Sequence, residues 1–182
     1  KHIITSSIEH HAVLHTCQHM EKLGYDITYL PVDQYGMVNT EDLKAAIRPD
    51  TCLISIMFAN NEIGTIQPVS EIGKIARENN IIFHTDAVQA AGHEPIDVQG
   101  MNIDMLSMSA HKFYGPKGIG ALYVRKGVRF DNLMFGGAQE RNKRPGTDHV
   151  PGIVGMAKAL EIACGLMEEN NLRLLEMRSR LK

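Results

Sequence analysis

The sequence has 182 residues, of which 43% are hydrophobic and 22% are charged, and its formal net charge is −2. This composition is typical of a globular domain with a sizeable core, and the near-neutral charge argues against a nucleic-acid or membrane partner. Three cysteines without a CxxC spacing do not form the pattern of a disulfide framework, so we expect a reducing, cytoplasmic setting.

Short apolar runs alternate with longer amphipathic segments in the first third of the chain. HIITS, ITYLPV and TCLISIMFA predict strands, and the third is β-branched and apolar, as is typical of a strand buried on both faces. Between the first two, apolar residues recur at helical spacing from His10 to Leu23, and Gly24 is expected to end that helix. Thr40 is the expected N-cap of a second helix, TEDLKAAI.

The same alternation continues along the rest of the sequence. Pro68 is expected to open a helix, and IIFHTD, IDMLSMS and IGALYV predict three further strands. Residues 129–148 are loop-like, and residues 150–181 predict helix in two pieces. Together these elements predict an α/β domain whose mostly parallel mixed sheet is flanked by helices.

Polar residues follow four of the predicted strands at the point where each strand ends. Ligands of parallel α/β sheets bind beyond the carboxyl ends of the strands, so these residues are expected to form one site. The four groups are Ser6–His10, Asn60–Glu62, Asp86–Gln89 and Ser109–Lys112.

Lys112 occupies an unusual position, on a short connector between two apolar strands. A partly desolvated lysine has a lowered pKa and acts as an amine nucleophile toward a carbonyl. The aldehyde cofactor pyridoxal phosphate also needs a carboxylate at its ring nitrogen, donors for its phosphate and a group packed on its ring. A surface lysine in a turn is the alternative interpretation.

Each of these requirements has a candidate near Lys112 or at a neighbouring strand end. Asp86 is the carboxylate for the ring nitrogen, and Ser109 and His111 are donors for the phosphate. Gln89 is a partner for the ring hydroxyl, and His10 is a residue to stack on the ring and transfer protons.

Structural roles are open for several of these residues. Asp86 is also a favoured capping residue, His10 also fits a helix start without a ligand, and Asn61 also fits a role in fixing its loop. Three histidines recur at i, i+4 and i+8 without an acidic residue to complete a zinc motif. We therefore expect a solvated helix face and no metal site at His11, His15 and His19.

Five segments, in order, carry a resemblance that runs through all 182 residues. They are EHHAVL, SIMFANNEIGTIQP, HTDAVQAAG, SMSAHKFYGPKGIGALYV and GGAQERNKRPGT. These segments resemble cysteine desulfurases of the NifS/IscS type, which are fold-type-I enzymes dependent on pyridoxal 5′-phosphate. The resemblance implies the large domain of a fold-type-I pyridoxal-phosphate-dependent transferase.

The resemblance also implies roles for the residues at the strand ends. By that likeness Lys112 binds the cofactor covalently, Asp86 pairs with the pyridine nitrogen, and His10 stacks on the ring and serves in proton transfer. Asn61 and Gln89 would lie near the ring hydroxyl.

The phosphate ligands implied by the resemblance come from two subunits. Ser109 and His111 would bind the phosphate of their own subunit, whereas Thr147 in RPGT would reach the phosphate of the partner subunit's cofactor, which implies a homodimer. The implied reaction removes sulfur from L-cysteine, transfers it to an enzyme cysteine as a persulfide and releases L-alanine. The sulfur would pass to an acceptor or scaffold protein for iron–sulfur cluster or thio-cofactor assembly.

Residues 1–182 are expected to be the central part of the cofactor-binding large domain. The family's N-terminal segment and its C-terminal small domain, with the substrate-binding arginine and the sulfur-accepting cysteine, have no counterpart here. Cys17, Cys52 and Cys164 are each expected to be buried and structural. The segment by itself is therefore expected to be inactive.

Two other functions are consistent with the resemblance. Selenocysteine lyase, or another class-V pyridoxal-phosphate enzyme, would share this large domain and related chemistry. A truncated, non-catalytic relative that serves as a binding or scaffold module would explain the missing nucleophilic cysteine.

Overall fold

A six-stranded sheet forms the centre of the protein in the computed structural model, which describes residues 1–181. All six predicted strands are confirmed. Their bounds are β1 (His2–Ser6), β2 (Asp26–Leu30), β3 (Thr51–Ser55), β4 (Ile82–Asp86), β5 (Met105–Ser109) and β6 (Gly120–Val124).

The strand order across the sheet is β2-β1-β3-β4-β5-β6. Strands β1 to β5 are parallel to one another, and β6, at the edge, runs antiparallel to β5. The predicted mostly parallel mixed sheet is therefore confirmed. Because parallel strands point the same way, the carboxyl ends of β1, β3, β4 and β5 lie along one edge.

Helices connect most of the parallel strands and continue beyond the sheet. They are α1 (His11–Lys22), α2 (Thr40–Ala46), α3 (Val69–Glu78), α4 (Gln139–Asn142), α5 (Val150–Gly165) and α6 (Met167–Ser179). The two-piece helix at the end of the chain is confirmed. The segment before it is mostly loop, as predicted, and α4 is a single turn in which Glu140 and Arg141 have left-handed dihedrals.

The helix starts follow from local side-chain hydrogen bonds. The Asn39 side chain accepts a hydrogen bond from the Glu41 N–H at 2.9 Å, and the Asn39 backbone is extended. Asn39 is therefore the N-cap of α2, and the prediction that Thr40 is the cap is wrong by one residue. Both residue types cap helices, and only their backbone conformations distinguish them. Gly24, with a φ of +85°, follows the end of α1 as predicted.

Strand β3 is less buried than its apolar sequence predicted. Its ladder ends at Ser55, and its first residues are partly exposed, including Cys52. Burial on both faces begins only in its second half and continues past the strand, where Ile56 and Phe58 still donate backbone hydrogen bonds to β4. This continuation carries the chain toward the carboxyl edge of the sheet.

The main core packs the central strands against helices α2 and α3. Its fully buried side chains come from four parallel strands and from both helices: Ile4, Ile54, Phe83, Leu106, Leu43 and Ile72. This core fixes where each central strand ends, and therefore where the polar residues beyond those ends emerge.

A smaller core packs the connector between β5 and β6 against α5. It contains Phe113, Ala110 and Ala91 together with Met156 and Ala163 of α5. This cluster anchors the one short segment that carries Lys112.

Within residues 1–181, no single helix combines the length and the apolar composition needed to cross a membrane. Helices α5 and α6 meet those criteria only as a joined pair, across a bend of 65°.

Candidate active site

The predicted site residues emerge at the carboxyl edge of the sheet. Asp86 is the last residue of β4, and Ser109 is the last residue of β5. Lys112 lies in a 3-10 turn, Ala110–Phe113, that follows β5 directly. His10 follows β1 and precedes α1. The expected convergence of strand ends is therefore present for these four residues.

Lys112 is held between two buried anchors. Ala110 and Phe113 are fully buried, whereas Lys112 itself is exposed. The turn closes with Tyr114 in a left-handed conformation, at a φ of 66°, and with the Gly115 N–H donating to the Ala110 carbonyl at 2.8 Å. The turn is therefore fixed by its apolar neighbours, while the lysine amine projects away from the smaller core.

Asp86 is half-buried, and its two carboxylate oxygens have different surroundings. Its Oδ1 accepts a hydrogen bond from the Val88 N–H at 2.9 Å, which is a short side-chain turn. Its Oδ2 has no hydrogen-bond donor among residues 1–181. The capping role considered for Asp86 therefore occupies one oxygen and leaves the other open to a ligand.

Ser109 and His111 form a pair before Lys112. The Ser109 Oγ and the His111 Nδ1 are hydrogen-bonded at 2.8 Å. Ser109 is half-buried, His111 is exposed, and both lie beside the start of the lysine turn. A hydroxyl and an imidazole in this arrangement are suitable donors for an anionic group.

His10 caps α1 with its own ring. Its Nδ1 accepts a hydrogen bond from the Ala12 N–H at 3.1 Å. In the neutral ring this leaves the proton on Nε2, which makes no hydrogen bond to residues 1–181. His10 also lines a cavity of about 230 Å³ together with Glu9 and Asn61.

Asn61 and Gln89 line a second and larger cavity, of about 410 Å³, that also includes His93. The loop-fixing role considered for Asn61 belongs to its neighbour. Asn60 is buried, donates to the Ile8 carbonyl at 2.9 Å and accepts from two N–H groups of its own loop. Asn61 is exposed, and its side chain is free to face a ligand.

Thr147 is not brought together with the other predicted residues. It is exposed in the loop between α4 and α5 and lines neither cavity. Its predicted contact is with a partner subunit, so its role stays a prediction.

Two of the three cysteines contradict the expectation that all are buried. Cys17 is buried, and burial raises the pKa of its thiol. Cys52 is exposed because it lies near the start of β3, at the amino edge of the sheet, where the main core ends. Cys164 is exposed because it follows the buried Ala163 on α5 and is turned about 100° away from the smaller core.

The histidines of α1 show a contact that the sequence analysis left open. The rings of His11 and His15 stack with their centroids 4.9 Å apart, and both residues are exposed. Across residues 1–181 there is no group of three or more histidine, cysteine or acidic side chains placed to hold a metal.

Glu9 is a buried carboxyl group that the sequence analysis assigned no role. Its Oε1 accepts hydrogen bonds from the Ser6 Oγ at 2.6 Å and the Met57 N–H at 2.8 Å, and its Oε2 is buried without a hydrogen-bond partner among the described residues, 1–181. Burial raises the pKa of Glu9 to about 7, and the Asp86 carboxylate adds to the effect. The sequence signal that could have identified Glu9 was its position directly before His10, in a turn between a strand and a helix.

His84 links three strands beneath Asp86. Its Nδ1 is hydrogen-bonded to the Ser55 Oγ at 2.8 Å and its Nε2 to the Ser107 Oγ at 2.9 Å. Burial lowers the pKa of His84, so the neutral ring is favoured. A polar residue two positions before Asp86 in an apolar strand was the signal for this contact.

Comparison with known proteins defines the class of this chain. A family model described as aminotransferase class-V matches residues 1–178. The chain therefore belongs to the aminotransferase class-V family, whose members use pyridoxal 5′-phosphate.

Within that class, the chain is similar to cysteine desulfurases. It is 67% identical over 181 residues to the cysteine desulfurase IscS of Methanosarcina thermophila, covering 100% of this chain and 45% of that protein. A solved NifS-like protein superimposes with a TM-score of 0.97 at 46% identity, covering 100% of this chain and 50% of the other. A structure of SspA in complex with cysteine has a TM-score of 0.86 at 52% identity, covering 88% of this chain and 47% of that one.

The chain spans about half the length of the relatives it matches. The side chains present nevertheless suit the cofactor of the family. They supply an exposed amine at Lys112, a carboxylate with one open oxygen at Asp86, and a hydroxyl–imidazole pair at Ser109 and His111. These are the chemical groups that an aldehyde, a pyridine nitrogen and a phosphate require.

Proposed function

We propose that the protein carrying this sequence is a pyridoxal-phosphate-dependent cysteine desulfurase. Residues 1–182 supply the central part of its cofactor-binding large domain. The observation that carries the proposal is the adjacency of two strand ends: Asp86 ends β4, and the Lys112 turn follows β5, the neighbouring parallel strand. The similarity to cysteine desulfurases and to a cysteine-bound structure supports L-cysteine as the substrate.

Lys112, Asp86 and His10 have separate roles toward the cofactor and the substrate. When bound, pyridoxal phosphate attaches covalently to an amine, and its protonated ring withdraws electrons from the α-carbon of an amino acid. Lys112 would supply that amine. The open Oδ2 of Asp86 would pair with the ring nitrogen and favour its protonated form, while the Val88 N–H holds Oδ1 in place.

His10 would pack on the ring and hold a proton beside it. Because its Nδ1 accepts from the Ala12 N–H, the neutral ring carries its proton on Nε2 and can donate it in a hydrogen bond to a bound group. A second proton would add at Nδ1 and break the Ala12 contact. Asn61 and Gln89 would face the ring hydroxyl, and their shared position in the lining of the larger cavity supports this role.

The phosphate is held by both subunits of a homodimer. Ser109 and His111 donate from the subunit that carries Lys112, and their mutual hydrogen bond fixes both side chains. Thr147 reaches from the partner subunit, which agrees with its exposed position away from the other site residues of its own chain.

The sulfur leaves through a cysteine outside residues 1–182. The carbon–sulfur bond of L-cysteine breaks, the sulfur joins an enzyme thiolate as a persulfide, and L-alanine is released. Cys17 does not fit this role, because it is buried and its thiol pKa is raised. Cys52 lies near the start of β3, at the opposite edge of the sheet from the Lys112 turn. Cys164 is exposed on α5 and is turned away from the smaller core that anchors that turn. The persulfide then passes to an acceptor protein that builds iron–sulfur clusters or thio-cofactors.

The test uses the full-length protein that carries this sequence, loaded with pyridoxal phosphate and supplied with L-cysteine. We expect equal amounts of L-alanine and transferred sulfur. Lys112→Ala abolishes the reaction, whereas Lys117→Ala, a change at an exposed lysine of the same connector, leaves it intact. A parallel assay with L-selenocysteine separates a desulfurase from a selenocysteine lyase. Cofactor binding without release of alanine from either substrate would contradict the proposal and favour a non-catalytic role.

A further inference from the structure

The carbonyl of Lys112 accepts a hydrogen bond from a side chain to which the sequence assigned no role. The Nε2 atom of His93 lies 3.0 Å from the Lys112 carbonyl oxygen. A carbonyl only accepts, so the His93 ring carries a proton on Nε2. His93 also lines the larger cavity together with Gln89 and Asn61.

The His93 contact provides a hydrogen-bond donor to the Lys112 carbonyl, which the backbone of the turn does not provide. The N–H groups of Tyr114 and Gly115 both donate to the Ala110 carbonyl. Within residues 1–181, no backbone N–H donates to the Lys112 carbonyl. The His93 ring is therefore the hydrogen-bond donor to the Lys112 carbonyl within residues 1–181.

His93 is itself held from several directions. Its N–H donates to the Ala90 carbonyl at 2.9 Å, and its carbonyl accepts from the Asn171 Nδ2 of α6 at 2.8 Å. Its ring meets the Tyr114 ring edge-on, with the centroids 6.4 Å apart. The preceding residue, Gly92, packs so closely on Ala163 and Phe113 that a side chain there would lie within 3.2 Å of both.

We propose that His93 is a positioning residue for the Lys112 amine. By fixing the Lys112 carbonyl, it fixes the backbone from which the lysine side chain leaves, and the Asn171 contact ties the His93 backbone to α6. The inference rests on the proposed function, because it assumes that Lys112 bonds covalently to pyridoxal phosphate. Its consequence is specific: loss of the His93 donor weakens the covalent attachment while the rest of the cofactor pocket is kept.

The experiment compares two ligands on the full-length protein. Pyridoxal 5′-phosphate bonds to Lys112, whereas pyridoxine 5′-phosphate, which has an alcohol in place of the aldehyde, does not. For His93→Leu we expect the Kd of pyridoxal phosphate to rise about fivefold, the loss typical of one hydrogen bond, and the Kd of pyridoxine phosphate to stay unchanged. A merely structural role would weaken both ligands alike.

Two further variants complete the test. His93→Gln keeps a donor at the position of Nε2, so it restores the affinity for pyridoxal phosphate. Asn171→Ala removes only the support of the His93 backbone, and we expect a smaller loss that is again selective for the aldehyde.

Equal losses for both ligands, no loss in either variant, or failure of the glutamine to restore binding would overturn the positioning role. Failure of the unsubstituted protein to bind pyridoxal phosphate would overturn the proposed function itself, and the positioning role with it. The unsubstituted protein thus separates the two kinds of failure.

Discussion

Asp86 of β4 lies directly opposite Ser107 of β5 in the parallel sheet. Ser107 stands two residues before the end of β5, and the lysine turn begins at the next residue after that end. The carboxylate and the lysine therefore leave neighbouring strands at the same edge of the sheet. A single small heterocycle bound at this edge could therefore contact both Asp86 and Lys112.

Asp86→Asn separates the structural from the chemical role of this carboxylate. The asparagine still accepts from the Val88 N–H, so the turn and the fold are kept, but the ring nitrogen loses its negatively charged partner. In the full-length protein we expect kcat/KM for L-cysteine to fall by about 10²-fold or more, the scale seen when an electrostatic contact in an active site is removed.

Asp97→Asn is the matched control for that substitution. Asp97 forms the same kind of turn, accepting from the Gln99 N–H at 3.0 Å, but it is exposed and lines neither cavity. We expect kcat/KM to stay unchanged in this variant. An equal loss in both variants would show that the Asp86 effect is structural.

Glu9 makes stability depend on pH with a defined sign. Its pKa in the folded protein is raised to about 7 from an ordinary value of 4.5, because burial disfavours the charged form. Protonated Glu9 thus contributes stability that is complete below pH 4.5 and is lost as the pH rises to about 7. The rise in the pKa of Glu9 from 4.5 to about 7 corresponds to a loss of about 3 kcal/mol in the free energy of unfolding.

Urea unfolding at pH 4.5 and pH 8 measures this contribution through Glu9→Gln, which keeps the acceptor but does not ionise. We expect the unsubstituted protein to lose stability relative to the variant by about 3 kcal/mol between the two pH values. Glu62→Gln, at an exposed glutamate, is the control and should show no such dependence. A constant difference for Glu9→Gln would show that folding does not raise the pKa of Glu9.

Gly73 is required by packing. It lies in α3, and a Cβ added there would overlap the backbone carbonyl oxygen of Met101. Although alanine is a better helix former, we expect Gly73→Ala to lower the free energy of unfolding by about 1–3 kcal/mol. Gly165, the last residue of α5, has open space around its Cα, so Gly165→Ala should be neutral or stabilise by up to about 1 kcal/mol. Equal effects on thermal unfolding would contradict this interpretation.

Thr147 is tested by mixing subunits. If Thr147 serves the cofactor of the partner subunit, a dimer of one Lys112→Ala subunit and one Thr147→Ala subunit has one intact site and one doubly damaged site. We expect such mixed dimers to recover about half the activity of the unsubstituted dimer, as the two-site count requires. Recovery absent from mixed dimers would show that Thr147 acts within its own subunit.

Most of the fold and part of the site could be predicted because both depend on local patterns. Apolar runs located all six strands, and parallel pairing then brought Asp86, Ser109 and Lys112 to one edge. The prediction failed where only backbone conformation or three-dimensional position decides the outcome, as for the Asn39 cap and the exposure of Cys164.

Long-range contacts explain the residues that the sequence analysis missed. His93 meets Lys112 across 19 positions in the chain, and Glu9 meets Met57 across 48. Neither spacing follows from a helix or strand period, so only the folded sheet reveals these pairs.

The most direct measurement is borohydride reduction of the full-length protein with bound pyridoxal phosphate, followed by mass-spectrometric mapping of the labelled peptide. We expect one pyridoxyl group per chain, on Lys112, and no label at the exposed Lys117 of the same connector. Label on another lysine, or cofactor that is bound but not trapped, would contradict this expectation.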